Sequence, residues 1–131
     1  MSERAILIVE DDRDIRETLA DALEQEGFAV TAAFDGLDAL EKLRGADRAP
    51  DIVLLDVMMP RMDGVQFAAE MRKTPAWNGI PIVLVTADVH GKSAAREVGA
   101  AAFLKKPIKL TSLFDTIRAT LAAPTETTDQ G

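Results

Sequence analysis

Three kinds of chemically useful side chain recur at one structural position in this sequence. Glu10-Asp11-Asp12 follows the apolar run Ala5 to Val9, and Asp56 closes the run Ile52 to Leu55. Thr86 follows Ile80 to Val85, and Lys106 follows Ala101 to Leu104. Short, wholly apolar runs of this kind read as strands buried on both faces of a parallel sheet. The carboxyl ends of such strands share one edge, where open α/β sheets bind ligands. Residues spread over a hundred positions are thus predicted to meet in one crevice. Three carboxylates there repel one another unless a cation sits among them. An all-oxygen donor set selects a hard ion, and Mg²⁺ fits best, because it keeps waters and takes one or two carboxylates plus phosphate oxygens. Lys106 can hold an incoming anion, and the Thr86 hydroxyl can donate to it. A carboxylate nucleophile at Asp56, a divalent metal, an ammonium and a hydroxyl donor are the parts needed for phosphoryl transfer onto an aspartate. Singly, the acid cluster reads as helix capping and Lys106 as a solvated lysine. Their joint occurrence at strand ends favours the chemistry.

The composition narrows the alternatives. At 131 residues, 47% apolar and 28% charged, the chain suits one globular domain with its own core. A net charge of −7 and a pI near 4.7 argue against direct nucleic-acid binding and against anionic membranes. The lack of cysteine excludes disulfides and thiolate metal sites, and the single His90 excludes a cluster of histidine ligands. The first apolar run is too short for a signal peptide, and no segment reaches the ~20 apolar residues of a membrane span. A cytoplasmic protein is expected.

Helix-period segments separate the strands. The first runs from about Arg13 to Glu26, with Asp12 as N-cap, Ile15, Leu19, Ala22 and Leu23 on one face, and Gly27 ending it. Phe28 to Ala33 reads as a second strand. Asp35-Gly36 turns into a helix carrying Leu37, Leu40 and Leu43, and Asp63-Gly64 opens another with Val65, Ala68 and Met71 inward. A short Ala-rich helix near Gly91 to Val98 has a weak apolar face, which suggests a mobile element. The last runs from about Lys109 to Ala122, with Leu110, Leu113, Ile117 and Leu121 facing the sheet. The polar stretch from Pro124 to Gly131 is expected to be disordered. Five such alternations predict right-handed crossovers and a single doubly wound, five-stranded parallel sheet.

The pattern Ile8-Val9-Glu10-Asp11-Asp12, Leu54-Leu55-Asp56-Val57-Met58-Met59-Pro60, Met62-Asp63-Gly64, Val85-Thr86-Ala87 and Phe103-Leu104-Lys105-Lys106-Pro107 resembles the receiver (CheY-like) domain of bacterial two-component response regulators. The resemblance covers roughly residues 4 to 122, leaving 123 to 131 as a tail or the start of a linker. It implies a flavodoxin-like (βα)5 fold with strand order 2-1-3-4-5. It implies Asp56 as phosphoacceptor from a sensor histidine kinase or phosphotransfer protein, with Asp11 binding Mg²⁺ directly, Glu10 through water and the Met58 backbone carbonyl as a further ligand. Lys106 would pair with Asp56 or its phosphoryl group, and Lys106-Pro107 matches a bond that is cis in the family. Thr86 and Phe103 match the switch pair, with Phe103 where some members carry tyrosine. An output protein would bind the face of the fourth helix, fifth strand and fifth helix, with the chain a monomer or a phosphorylation-dependent homodimer.

The expected role is a signalling module and not an enzyme beyond its own phosphorylation and dephosphorylation. A stand-alone regulator or phosphorelay shuttle is the preferred case, against a receiver cut from a longer regulator or hybrid kinase. An aspartate-nucleophile phosphohydrolase would need a second acid two residues after Asp56, where Met58 stands. A flavin-binding protein would need a neutral, glycine-rich phosphate loop where Glu10-Asp11-Asp12 stands.

Overall fold

The computed structural model describes residues 4–56, 64–87 and 91–122, apart from the side chains at 91, 92 and 94. Met58, Asp63, His90 and the polar tail fall outside the described residues. Strands β1 (Ala5–Val9), β2 (Ala29–Ala33), β3 (Ile52–Asp56), β4 (Ile82–Thr86) and β5 (Ala102–Lys105) alternate with helices α1 (Arg13–Gln25), α2 (Gly36–Gly45), α3 (Gly64–Lys73), α4 (Gly91–Val98) and α5 (Leu110–Ala122). All strand pairs are parallel, in the order β2-β1-β3-β4-β5. This is the flavodoxin-like order that the resemblance implies.

The burial pattern explains the order. β3 and β4 are buried at every position, so each must be covered on both faces and flanked on both sides. β2, exposed at Ala29 and Thr31, takes an edge. Alternate side chains divide the interior into two cores. Leu7, Val9, Val53, Leu55 and Leu84 pack with Leu40, Phe67, Met71 and Val98 under α2, α3 and α4. Ile6, Ile8, Ile52, Leu54 and Val85 pack with Leu19, Leu23, Leu113 and Ile117 under α1 and α5.

Several local expectations hold through identifiable contacts. The Asp12 side chain accepts the Ile15 amide at 3.0 Å as the N-cap of α1. Gly27, at φ 97°, takes the left-handed conformation that follows the helix. Others shift. β4 begins at Ile82 and not Ile80, because Pro81 has no amide to donate to a ladder. Leu37 is 40% exposed, to one side of the stripe formed by Gly36, Ala39, Leu40 and Leu43. Leu110, 41% exposed, is the first residue of α5 and lines an open cleft instead of the core. Phe67, which the sequence reading passed over, is fully buried between Gly64 and Met71. The C-terminal end of α4 is anchored by buried Val98 and the left-handed Gly99.

Candidate functional site

The strand register brings the candidate residues together. Val9 lies opposite Leu55, Asp56 opposite Val85, and Thr86 opposite Lys105. One step past Val9 and Leu55, Glu10 and Asp56 stand side by side, on the α1 and α5 side of the sheet by alternation with Ile8 and Leu54. Glu10, Asp56 and Thr86 are buried, while Asp11 is exposed. One carboxylate oxygen from each of Glu10, Asp11 and Asp56 lies within 4.8 Å of the others. Lys106 Nζ reaches Glu10 Oε1 at 3.1 Å and Asp56 Oδ2 at 3.3 Å. Its backbone amide donates to the Thr86 carbonyl at 2.9 Å, and the Lys106-Pro107 peptide is cis, as the resemblance implies.

The acid-bearing turn between β1 and α1 is held by its own bonds. The Glu10 amide donates to the Ala33 carbonyl at 3.0 Å, and the Asp12 amide donates to Glu10 Oε2 at 3.1 Å. Arg16, to which the sequence reading gave no role, donates to the carbonyls of Glu10 and Asp11. Only the fold reveals this, since the partners are backbone atoms.

Among the described residues, the acids of this edge outnumber its cations. Burial drives the Glu10 carboxyl from its ordinary 4.5 to about 7, and the Asp56 charge adds to the rise. The Asp12 amide and Lys106 pull the other way and lose. For Lys106, burial acts to lower the pKa. The hydrogen bond to Glu10 and the charges of Asp56 and Glu10 outweigh it, so the ammonium is held above its ordinary value. One ammonium thus serves two buried carboxylates with a third at the rim. Three oxygen donors at this spacing fit a hard divalent cation. Beside Lys106 lies a cleft of about 600 Å³ lined by Ile15, Leu19, Ala87, Pro107 and Ile108 among others.

The candidate switch residues lie on neighbouring strands, β4 and β5. Thr86 is fully buried at the end of β4, and half-buried Phe103, opposite Leu84, packs against the core under α3 and α4. Met58, the remaining candidate ligand, lies outside the described residues.

Fold and site together define an α/β protein of flavodoxin-like topology whose carboxyl edge holds an acid cluster and a lysine. The description of the response regulator receiver domain matches residues 6–118, and the chain belongs to that family. Over 118 residues it is 41% identical to the response regulator MprA of Mycobacterium sp. (strain KMS), covering 88% of this chain and 50% of that protein. MprA of Mycobacterium ulcerans (strain Agy99) is 42% identical over the same length, with 88% and 49% covered. The chain spans about half the length of the curated relatives it matches. Among solved structures, the chemotaxis protein CheY4 of Vibrio cholerae is similar with a TM-score of 0.83 at 30% identity, over 90% of this chain and 98% of that one. The signal receiver domain of a signal transduction histidine kinase from Syntrophus aciditrophicus has a TM-score of 0.83 at 30% identity, over 98% and 97%. Among the described residues no helix is long and apolar enough to cross a membrane.

Proposed function

We propose that residues 4–122 form a phosphoacceptor domain that takes a phosphoryl group on Asp56 from a phosphohistidine of a sensor kinase or phosphotransfer protein. The observation that carries this is the setting of Asp56: a buried carboxylate at a strand end, 3.3 Å from an ammonium and within 4.8 Å of two further acids. An Asp56 oxygen forms a bond to phosphorus as the phosphorus–nitrogen bond breaks, and the imidazole leaves, taking up a proton from solvent. Lys106 holds one phosphoryl oxygen, and the Thr86 hydroxyl donates to another. Mg²⁺, for which Asp11 and Asp56 would serve as direct ligands and Glu10 as a ligand through water, would supply neutralisation of the phosphoryl charge. The domain acts on itself and turns over no separate substrate.

The apolar cleft beside Lys106 suits docking of the phosphodonor, because it opens directly next to the acceptor. Output runs through the other face. A phosphoryl group on Asp56 offers a strong acceptor to Thr86, and drawing that side chain inward frees space that Phe103 can fill. Burying more of a half-exposed Phe gains on the order of 1 kcal/mol, enough to bias a two-state element severalfold. The surface of α4, β5 and α5 would then present a changed shape to an output protein or to a second copy of the chain.

Intact-mass spectrometry after incubation with a small phosphodonor and Mg²⁺ tests the reading. One added phosphoryl group is expected, absent in Asp56→Asn and in chelator. Equal labelling of Asp56→Asn would overturn it.

A further inference from the structure

Arg16 lies in the first turns of α1, five residues beyond Asp11. Its guanidinium turns toward the backbone of the acid cluster. Nη1 donates to the Glu10 carbonyl at 2.9 Å and to the Asp11 carbonyl at 3.3 Å. Three further polar groups of this turn are engaged elsewhere: the Glu10 amide on Ala33, the Asp12 amide on Glu10 Oε2, and Asp12 Oδ1 on the Ile15 amide. Arg16 therefore ties the helix to the two residues that carry candidate metal ligands.

A carbonyl and the side chain of the same residue leave one Cα, so fixing consecutive carbonyls restricts the directions their carboxylates can take. Burial already confines Glu10. Asp11 is exposed, and its side chain gains no such confinement from packing. We propose that Arg16 is a positioning residue for the metal site, holding the β1–α1 turn so that the Asp11 carboxylate faces Glu10 and Asp56. This rests on reading those three acids as the cation site.

Position and charge predict opposite signs. A guanidinium near a cation site repels the cation, so an arginine acting by charge alone would weaken metal binding. An arginine acting by position strengthens it. Lysine separates the two, because its ammonium keeps the charge but ends one bond short of the Arg Nη atoms and lacks the planar fork.

The experiment is a calorimetric Mg²⁺ titration of the full chain, for wild type, Arg16→Gln and Arg16→Lys, with melting and amide exchange measured in chelator. Outer partners of metal ligands are typically worth 10–100-fold in affinity, so both variants should bind Mg²⁺ about tenfold more weakly. Their metal-free melting should change little, while the Asp12 amide exchanges faster. Tighter binding by Arg16→Gln with wild-type binding by Arg16→Lys would overturn the proposal in favour of charge. Lower melting temperatures with unchanged affinity would overturn it in favour of a purely structural bond. A wild type that takes up no Mg²⁺ would overturn the metal reading and this assignment together, whereas a binding wild type with unaltered variants overturns the assignment alone.

Discussion

The two edges of the sheet use the same kinds of residue to different ends. At the amino edge, just before β3, Asp51 accepts the Ala5 amide at 2.7 Å and the Arg48 guanidinium at 2.8 Å. Arg72 at the end of α3 donates to the carbonyls of Asn78, Ile80 and Gly99 at 2.9, 3.0 and 3.3 Å, joining the loops that lead into β4 and β5. There the Asp51 carboxylate meets a guanidinium, and the Arg72 guanidinium meets backbone carbonyls. At the carboxyl edge Glu10, Asp11 and Asp56 face, among the described residues, the ammonium of Lys106, and the Glu10 carboxyl is pushed up to about 7 as a result of burial and its neighbour. Among the described residues, an excess of acids over cations sets the carboxyl edge apart as the candidate functional edge, because perturbed, like-charged groups cluster at functional sites.

The largest expected effect sets the edges apart by pH. The Glu10 carboxyl rises from 4.5 to about 7 on folding, so the folded chain binds this proton more tightly than the unfolded one. The stability it contributes is fully present below pH 4.5 and is lost as pH climbs through 7. Glu10→Gln, which fixes a neutral side chain, should gain on wild type across that window by on the order of 2–3 kcal/mol in metal-free buffer. Urea unfolding of both proteins at the two ends of the window checks this. Parallel stabilities would mean the carboxyl edge is as well satisfied as the amino edge.

A smaller effect is expected from the opposite edge. Arg72→Met removes three charged hydrogen bonds, but the exposed Asn78 and Gly99 can turn their carbonyls to water, so a loss of about 2 kcal/mol is expected. The loss should be the same at both ends of the pH window and should leave Mg²⁺ affinity at its wild-type value. A matching drop in Mg²⁺ affinity would show that the amino edge contributes to the site and would dissolve the distinction.

How much of this could be read beforehand follows from the range of the interactions involved. The limits of β1 and the placement of Glu10, Asp56, Thr86 and Lys106 at strand ends follow from local apolar runs and from the rule that parallel strands share a carboxyl edge. The start of β4 was misplaced because Ile80 is buried like a strand residue yet precedes Pro81. Leu110 was placed facing the sheet because a leucine in the first turn of α5 fits the apolar pattern, yet it lines an open cleft. Arg16 and Arg72 were opaque for another reason. Both bond to backbone carbonyls, and every residue carries one, so no pattern of residue types reveals the partner.

The smallest expected effect is none, and it bears most directly on the separation of the edges. Trp77 lies in the connection from α3 to β4, where its amide donates to the Thr74 carbonyl at 2.9 Å and its carbonyl accepts the Ile80 amide at 3.1 Å. Its half-buried ring packs against the core under α2, α3 and α4. The carboxyl edge is one five-residue strand away, about 17 Å at ~3.3 Å per residue. A cation bound there changes charges that the intervening apolar core does not relay as movement unless the sheet itself shifts. Emission from Trp77, the sole tryptophan, should therefore stay nearly constant through a Mg²⁺ titration that saturates the site by calorimetry. Saturable quenching that tracks the calorimetric curve would mean that filling the carboxyl edge repacks the core as far as the amino edge. The surplus charge would then be a strain borne by the whole sheet and not by one rim of it.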